Sequence, residues 1–459
     1  MSAYPITGAF TSDLSPVYPY YEGAGVVWVL AFSAIGDYDT DDPSFLRAFR
    51  SDDFGQTWAT AGGGTRQVLT QLGVGSHATR VITRAHPNWP STPYLYALYC
   101  STDEQLHVSR YNCATETWDL ESGNDPAVAA ALPGDFQNFL LWSFDLVAGA
   151  DAGGVLYNDP DGYLHPNDNY YARCSYVPFT LSTLNFGSPV RVDGQADDDI
   201  VFRAGDVRRG DDGLLHGFVS QSDPAGVDPD TTYQVVLRTS AGPAVGSLQV
   251  LDTGVVGYPY AAQREERGGD TYMYVLVASS SPDVRQALFV GPSSAGGINV
   301  SQVFDEGGSG YDWPIAVAPN RDIYRAWPSP TDDVQRQTFD GSTLGGLETI
   351  YTSPGPSIGT VGAGEFAGGS AAVVSLLPGG MVAAQPLYFL GATPLQLLGG
   401  VGIPSEEAFG KTHGLTGGGP PLTCGDPVVV PPQDTCGPVP VTPIPEDQRG
   451  RCDTLGFSY

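Results

Sequence analysis

Between Tyr258 and Arg267 the chain reads Tyr-Pro-Tyr-Ala-Ala-Gln-Arg-Glu-Glu-Arg, with Tyr272 and Tyr274 close behind. Tyr258, Tyr260, Arg264 and Glu265 form the densest set of side chains that could do chemistry. Paired carboxylates next to an arginine, here Glu265 and Glu266 beside Arg264, can be tuned apart into a general acid and a general base. The plainer expectation is an exposed, self-neutralising loop, with Gly268-Gly269-Asp270 turning into the next strand. Charge clusters in turns are usually solvated, and that expectation is preferred.

A second chemical pattern is Asp37-Tyr-Asp39-Thr-Asp41-Asp42, with carboxylates at alternating positions. Hard cations take such oxygen ligands, but the twelve-residue loop with its closing glutamate is absent. Solvated turns are expected here. Calcium held by Asp37, Asp39 and Asp41 is the one exception kept, and no other metal or cofactor is expected. The histidines form no ligand-like pair, and His216, inside an apolar strand pattern, is expected in the core. Cys100 and Cys113 flank a hairpin and could pair, though inert thiols are as good a reading. Cys424, Cys436 and Cys452 have no zinc-site spacing, and one of them could pair with Cys174 or with another chain.

These residues must be positioned by strands, because helical periodicity is nearly absent; Pro126 to Leu132 and Glu406 to Gly410 are weak helix candidates. Val26–Phe32, Tyr94–Tyr99, Leu214–Val219, Tyr272–Val277, Ile323–Trp327 and Ala371–Leu376 are β-branched or aromatic runs bounded by Gly, Pro, Asn and Asp. Each is followed by a second strand and then a turn ending in a bulky apolar residue, and this unit repeats. The clearest pair of units is Arg50 to Trp58 and Arg110 to Trp118, with the same Arg-to-Trp interval. A four-stranded sheet has two apolar faces and cannot bury both alone. Packing each against its neighbours in a closed ring buries them and leaves only short edges. The fold expected is all-β, a six- or seven-bladed β-propeller over 25–400. Residues 1–24 would be an N-terminal arm or closing strand, and 401–459 an extended Pro/Gly-rich tail.

One motif is specific. Ser51-Asp52-Asp53-Phe54-Gly55-Gln56-Thr57-Trp58 matches Ser-x-Asp-x-Gly-x-Thr-Trp at every defined position. It resembles the Asp-box of sialidase-like (BNR-repeat) propellers. Ser51 and Asp53 can bond to backbone N–H groups in the turn, Gly55 can supply a left-handed conformation, and Thr57 and Trp58 lead back into the sheet. In the second unit Asn112 stands for Asp53 and Ala114 for Gly55. The resemblance implies a propeller of the sialidase kind with the motif on the outer edge of a blade. It implies no catalysis, because that edge lies away from the central channel where sialidases do their chemistry, and the Arg-Ile-Pro signature that opens many sialidases is missing as well. Tyr258, Tyr260, Tyr311 and Trp313 could stack on sugars, with Arg264 and Glu265 as polar contacts; filling blade interfaces is the preferred role for the aromatic residues.

With 51 acidic and 21 basic residues the 459-residue chain carries a formal charge of −30, which excludes a nucleic-acid binder held by phosphate charge. No segment is apolar and long enough to span a bilayer, and no secretory signal is read. An acidic propeller with a structural motif, no convincing catalytic set and a long tail suggests an exposed part of a large assembly. The expectation is a virion protein of a bacterial or archaeal virus (capsid spike, decoration or tail fibre). It would be anchored to other subunits by its tail, would contact host glycans or proteins, and would not be an enzyme. The alternatives are a sialidase-like glycoside hydrolase and a non-catalytic glycan- or protein-binding propeller.

Overall fold

The structure is a computed structural model. It describes residues 2–11, 17–34, 44–62, 66–69, 81–100, 106–119, 142–158, 173–192, 201–210, 214–222, 231–239, 242–243, 245–246, 248–252, 258–267, 270–278, 284–292, 301–308, 315–317, 323–327, 333–339, 344–354, 357–363, 372–377 and 385–391. The strands between 258 and 327 are described by their backbone pairing. The expected tail, both weak helix candidates, Tyr311, Trp313 and Asp37, Asp39 and Asp41 lie outside these residues. The virion expectation leans on that tail and gains no support from the described residues.

All regular structure among the described residues is strand, in six antiparallel sheets. Five have four or five strands consecutive in the chain and paired antiparallel in chain order, except that Gln249–Asp252 pairs with Thr231–Thr239 and not with Gly242–Pro243. The sixth has nine strands and joins the first described strands to the last. In it the first strand, Ser2–Thr11, lies antiparallel to the last, Gln385–Gly391, with Ala3 opposite Leu390 and Phe10 opposite Pro386. Phe10 also pairs with Phe32 of Val26–Ala34, the strand that carries the next group of strands. The N-terminal strand thereby links the last group to the first. Successive sheets abut mainly through their opening strands: Val81–Ala85 on Trp142–Leu146, that strand on Val201–Arg209, and that one on Tyr258–Arg267. This serial, end-joined packing of small sheets is a β-propeller.

Side-chain alternation explains the burial. In Val26–Ala34, Trp28, Leu30 and Phe32 pack with Leu95, Tyr99 and Tyr111 of the second sheet. Val27, Val29 and Ala31 pack the other way, on Leu387, Phe389 and Val373 of the last group. Successive residues of a strand point to opposite faces, so a strand sandwiched between two sheets must be apolar at every position. The pattern recurs: Tyr96 and Leu98 meet Phe144 and Val155, while Leu156 and Tyr176 meet Leu215 and Val219. Each such side chain fully buried contributes about 1.5–3 kcal/mol, which is why every sheet needs both neighbours.

The cysteine alternatives narrow here. Cys113 is a free, buried thiol, so it makes no bridge to Cys100. Cys174 is likewise a buried thiol and makes no disulfide with the tail. Burial pushes the Cys113 thiol far above its usual range, with Glu22 adding to the effect, and leaves it inert as a nucleophile. His216 lies fully buried on Leu215–Ser222.

Candidate functional site

The Asp-box forms the tight turn between Ser44–Ser51 and Ala59–Thr60. Ser51 Oγ donates to Asp53 Oδ1 at 2.8 Å and accepts from the Gly55 amide at 2.8 Å. Asp53 Oδ1 also accepts the amides of Gln56 (3.0 Å) and Thr57 (2.8 Å), and its Oδ2 accepts the Thr57 hydroxyl at 2.7 Å. Partial burial would raise the Asp53 pKa, but these hydrogen bonds outweigh it and hold the carboxyl below its usual range. Gly55 sits at φ +83°, and a Cβ there would come 2.2 Å from the Phe389 ring. Trp58 closes the turn by donating from Nε1 to Gly55 O at 2.8 Å, and its ring meets Phe389 at 5.5 Å. In the second unit Asn112 accepts the Ala114 amide at 2.9 Å and the Thr115 amide at 3.2 Å, a reduced version of the same turn. Ser51 Oγ, the Asp53 carboxylate, the Thr57 hydroxyl and Trp58 Nε1 all find their partners within the box. It is a fastener with no free chemistry.

The cluster Tyr258, Tyr260, Arg264 and Glu265 is in strand, not in a loop. Tyr258–Arg267 opens its own sheet and pairs with Asp270–Ala278, with Arg264 opposite Met273 and Glu265 opposite Tyr272. Tyr260 falls at a register shift between Pro259 and Ala261. Gly268 and Gly269, where a turn was expected, lie outside the described residues. The charges before it misled, since a long hairpin ladder outweighs the preference of charged residues for loops. Among the described residues no group of three or more potential metal ligands exists.

The chemically richest place is one that the sequence did not single out. Three opening strands, Val81–Ala85, Trp142–Leu146 and Val201–Arg209, bring together Arg84, Ser143, Asp145, Asp206, Arg208 and Arg209, all buried. An opening strand pairs on one side only, so half of its amides need other partners. Ser143 Oγ accepts the Val207 amide at 3.3 Å and Asp145 Oδ2 accepts the Arg209 amide at 2.9 Å. Asn158 Oδ1 accepts the Ala204 amide at 3.0 Å. The step from 204 to 207 to 209 is possible because a β-bulge lies between Ala204 and Val207. Such bulges re-aim a side chain, and this one presents Asp206.

Asp206 Oδ1 accepts from Arg84 Nη2 at 3.1 Å, from the Val207 amide at 2.9 Å and from the Ser143 hydroxyl. Its Oδ2 pairs with Arg208 Nη2 at 3.1 Å. Arg84 is 4% exposed and Asp206 8%. Arg84 further donates from Nε to Phe144 O and from Nη1 to Thr83 O, both at 3.1 Å. Thr83 O also accepts the Tyr20 hydroxyl at 2.6 Å. A continuous polar chain thus crosses four successive groups of strands, from Tyr20 through Thr83 and Arg84 to Phe144, Ser143 and Asp206. At the same end of these strands His86 follows Ala85. Its Nδ1 accepts the Asn88 amide at 3.1 Å, and its pKa is lowered by burial and by the nearby Arg209 and Arg110.

No protein-family model matches the chain, and no curated protein matches it. Solved structures do. The chain is similar to a polysaccharide lyase, Uly1, at 11% identity and TM-score 0.47, over 83% of this chain and 90% of that one. It is similar to an alpha-L-arabinanase from Penicillium chrysogenum at 13% identity and TM-score 0.43, over 85% and 98%. A Trypanosoma rangeli sialidase matches at 13% identity and TM-score 0.40, over 84% of this chain and 56% of that longer one. The chain is an all-β propeller, and its sequence carries one complete Asp-box. The expectation that the chain is not an enzyme does not stand, since the similar structures include a polysaccharide lyase, a sialidase and an arabinanase, alongside a lectin. The absence of an Arg-Ile-Pro signature was too local a feature to decide the matter.

Proposed function

We propose that this chain is a glycan-active enzyme whose working groups are drawn from the arginine–aspartate cluster on the opening strands. The observation that carries it is the composition of that cluster. In a chain of net charge −30, three arginines (Arg84, Arg208, Arg209) and two aspartates (Asp145, Asp206) are gathered into one buried place. Burying charges costs several kcal/mol per ion, and well-packed apolar residues would stabilise the sheets as well or better. Structure alone gives little reason to keep them. Guanidinium forks and carboxylates are the groups that grip hydroxyls and acidic substituents of sugars. His86, only half-buried beside Arg209, supplies a further neutral donor at the rim.

The test is incubation of the purified chain with a panel of neutral and acidic polysaccharides. Chain shortening is followed by mass spectrometry, and ultraviolet absorbance distinguishes unsaturated products of elimination from hydrolysis products. Cleavage of at least one polysaccharide is expected, and Asp206→Asn should slow it by roughly tenfold to a hundredfold, as loss of a charge-assisted hydrogen-bonding partner does. A variant that folds and cleaves at the wild-type rate would remove the cluster from the mechanism. No cleavage across the panel would remove the enzyme reading.

A further inference from the structure

Arg209 is 4% exposed, yet it lacks what Arg84 and Arg208 have. Those two share Asp206. The Arg209 side chain reaches only Ala85 O, from Nη1 at a long 3.5 Å, and its Nε is buried with no hydrogen-bond partner. The nearest acid in the cluster is already engaged: Asp145 takes the Leu146 amide on Oδ1 at 2.7 Å and the Arg209 amide on Oδ2 at 2.9 Å. No carboxylate among the described residues pairs with the Arg209 guanidinium. A guanidinium stays charged at any working pH, so it cannot escape this by losing its proton. An uncompensated buried charge is among the most destabilising features a fold can carry.

We propose that Arg209 holds a bound oxyanion, of the sulfate, phosphate or carboxylate class, at the end of the opening strands beside His86. Arg209 is the last residue of Val201–Arg209, and Ala85, whose carbonyl it touches, is the last of Val81–Ala85. The site therefore lies where two opening strands end. His86 fits it. With Nδ1 accepting the Asn88 amide, the neutral ring carries its proton on Nε2, and so offers a donor and no charge that an anion would have to displace. The other cation near His86 is already committed. Arg110 pairs with Asp119, donates to Leu181 O at 2.8 Å and stacks over Tyr94 at 4.8 Å. The guanidinium fork of Arg209 suits two oxygens of one anion. The site does not depend on whether the chain cleaves glycans, because it follows from charge balance alone.

The anion is either free in solution or the carboxylate of an acidic sugar, and the experiment separates the two. The full chain is brought into an oxyanion-free buffer, with ionic strength fixed by sodium chloride. Thermal unfolding and titration calorimetry are followed with sulfate, with glucuronate and with glucose as the uncharged control. Binding to the folded state alone raises Tm with ligand concentration. Sulfate and glucuronate acting alike, with glucose inert, identifies a general oxyanion site; glucuronate alone identifies a sugar carboxylate. Arg209→Met, similar in length and uncharged, should bind the effective anion about tenfold more weakly or worse, as loss of a charged hydrogen-bonding partner implies. In oxyanion-free buffer the same variant should be at least as stable as the wild type. No response to either anion, or an equal response in R209M, overturns the proposal. Should R209M fail to fold, the wild type decides by NMR: the bound anion must raise the His86 pKa, and an unchanged His86 titration overturns it.

Discussion

Arg84 and Asp206 stand 122 residues apart in sequence and 3.1 Å apart in space, joining the second sheet to the fourth across the strand that carries Ser143. Both are almost fully buried, so removing one partner strands the other. Arg84→Met and Asp206→Asn are each expected to destabilise the fold by about 3–5 kcal/mol. The double variant should cost clearly less than the two singles together. Urea unfolding of all four proteins in a double-mutant cycle checks this, and strictly additive losses would show that the pair is not coupled.

Gly55 and Gly149 both sit at positive φ, +83° and +70°, but in different surroundings. A Cβ at Gly149 meets nothing within 4 Å, whereas one at Gly55 would collide with the Phe389 ring at 2.2 Å. Gly149→Ala should cost about 1–2 kcal/mol, the left-handed backbone term alone. Gly55→Ala should cost that plus about 1–3 kcal/mol of overpacking, because the ring that must move belongs to the strand paired with the N-terminus. Denaturant midpoints of the two variants give the difference directly; equal losses would mean that Phe389 yields freely.

Asp53 is held as a carboxylate by Thr57, Ser51 and Gln56 against the opposing effect of its burial. Its folded pKa lies below the ordinary 3.8. The unfolded state therefore binds the proton more readily, and the stability this contributes is full above that ordinary value and is lost as pH falls through the folded pKa. Asp53→Asn should flatten the acid limb of the stability–pH curve below about pH 4. Denaturation series at several pH values would expose an unchanged limb.

His86 behaves in the opposite chemical sense with the same sign. Burial, then Arg209 and Arg110, lower its folded pKa below 6.5, so the folded state prefers the neutral ring. Above that value the two states bind protons alike. As pH falls below it the unfolded chain gains a proton first and stability drops. NMR titration in oxyanion-free buffer should place His86 below 6.5, and Arg209→Met should move it upward. A titration that ignores Arg209 would separate the two residues.

Much of the strand framework was legible because burial on two faces writes itself as local composition. The expected runs at Val26, Tyr94, Tyr272 and Ile323 fall on strands Val26–Ala34, Tyr94–Cys100, Asp270–Ala278 and Ile323–Trp327. The Asp-box was legible for a related reason: Ser51, Asp53, Gly55 and Trp58 satisfy one another within eight residues, so their spacing carries their geometry. Tyr258–Arg267 was misread, because its Arg-Glu-Glu-Arg run looks solvated until the ladder to Asp270–Ala278 is known.

What the sequence by itself determined is the module: short apolar strands, a turn that fastens one hairpin, and the need of each sheet for two neighbours. Tertiary structure alone decided which charges meet. Arg84, Ser143 and Asp206 lie on three separate strands, and a single-residue bulge after Ala204 sets which side Asp206 faces. Removing that extra residue would reverse the alternation that follows it, and no local pattern records the choice. Periodicity is a property of neighbours along the chain, whereas charge balance belongs to neighbours in space, where Arg84 and Arg208 share one carboxylate and Arg209 is left with none.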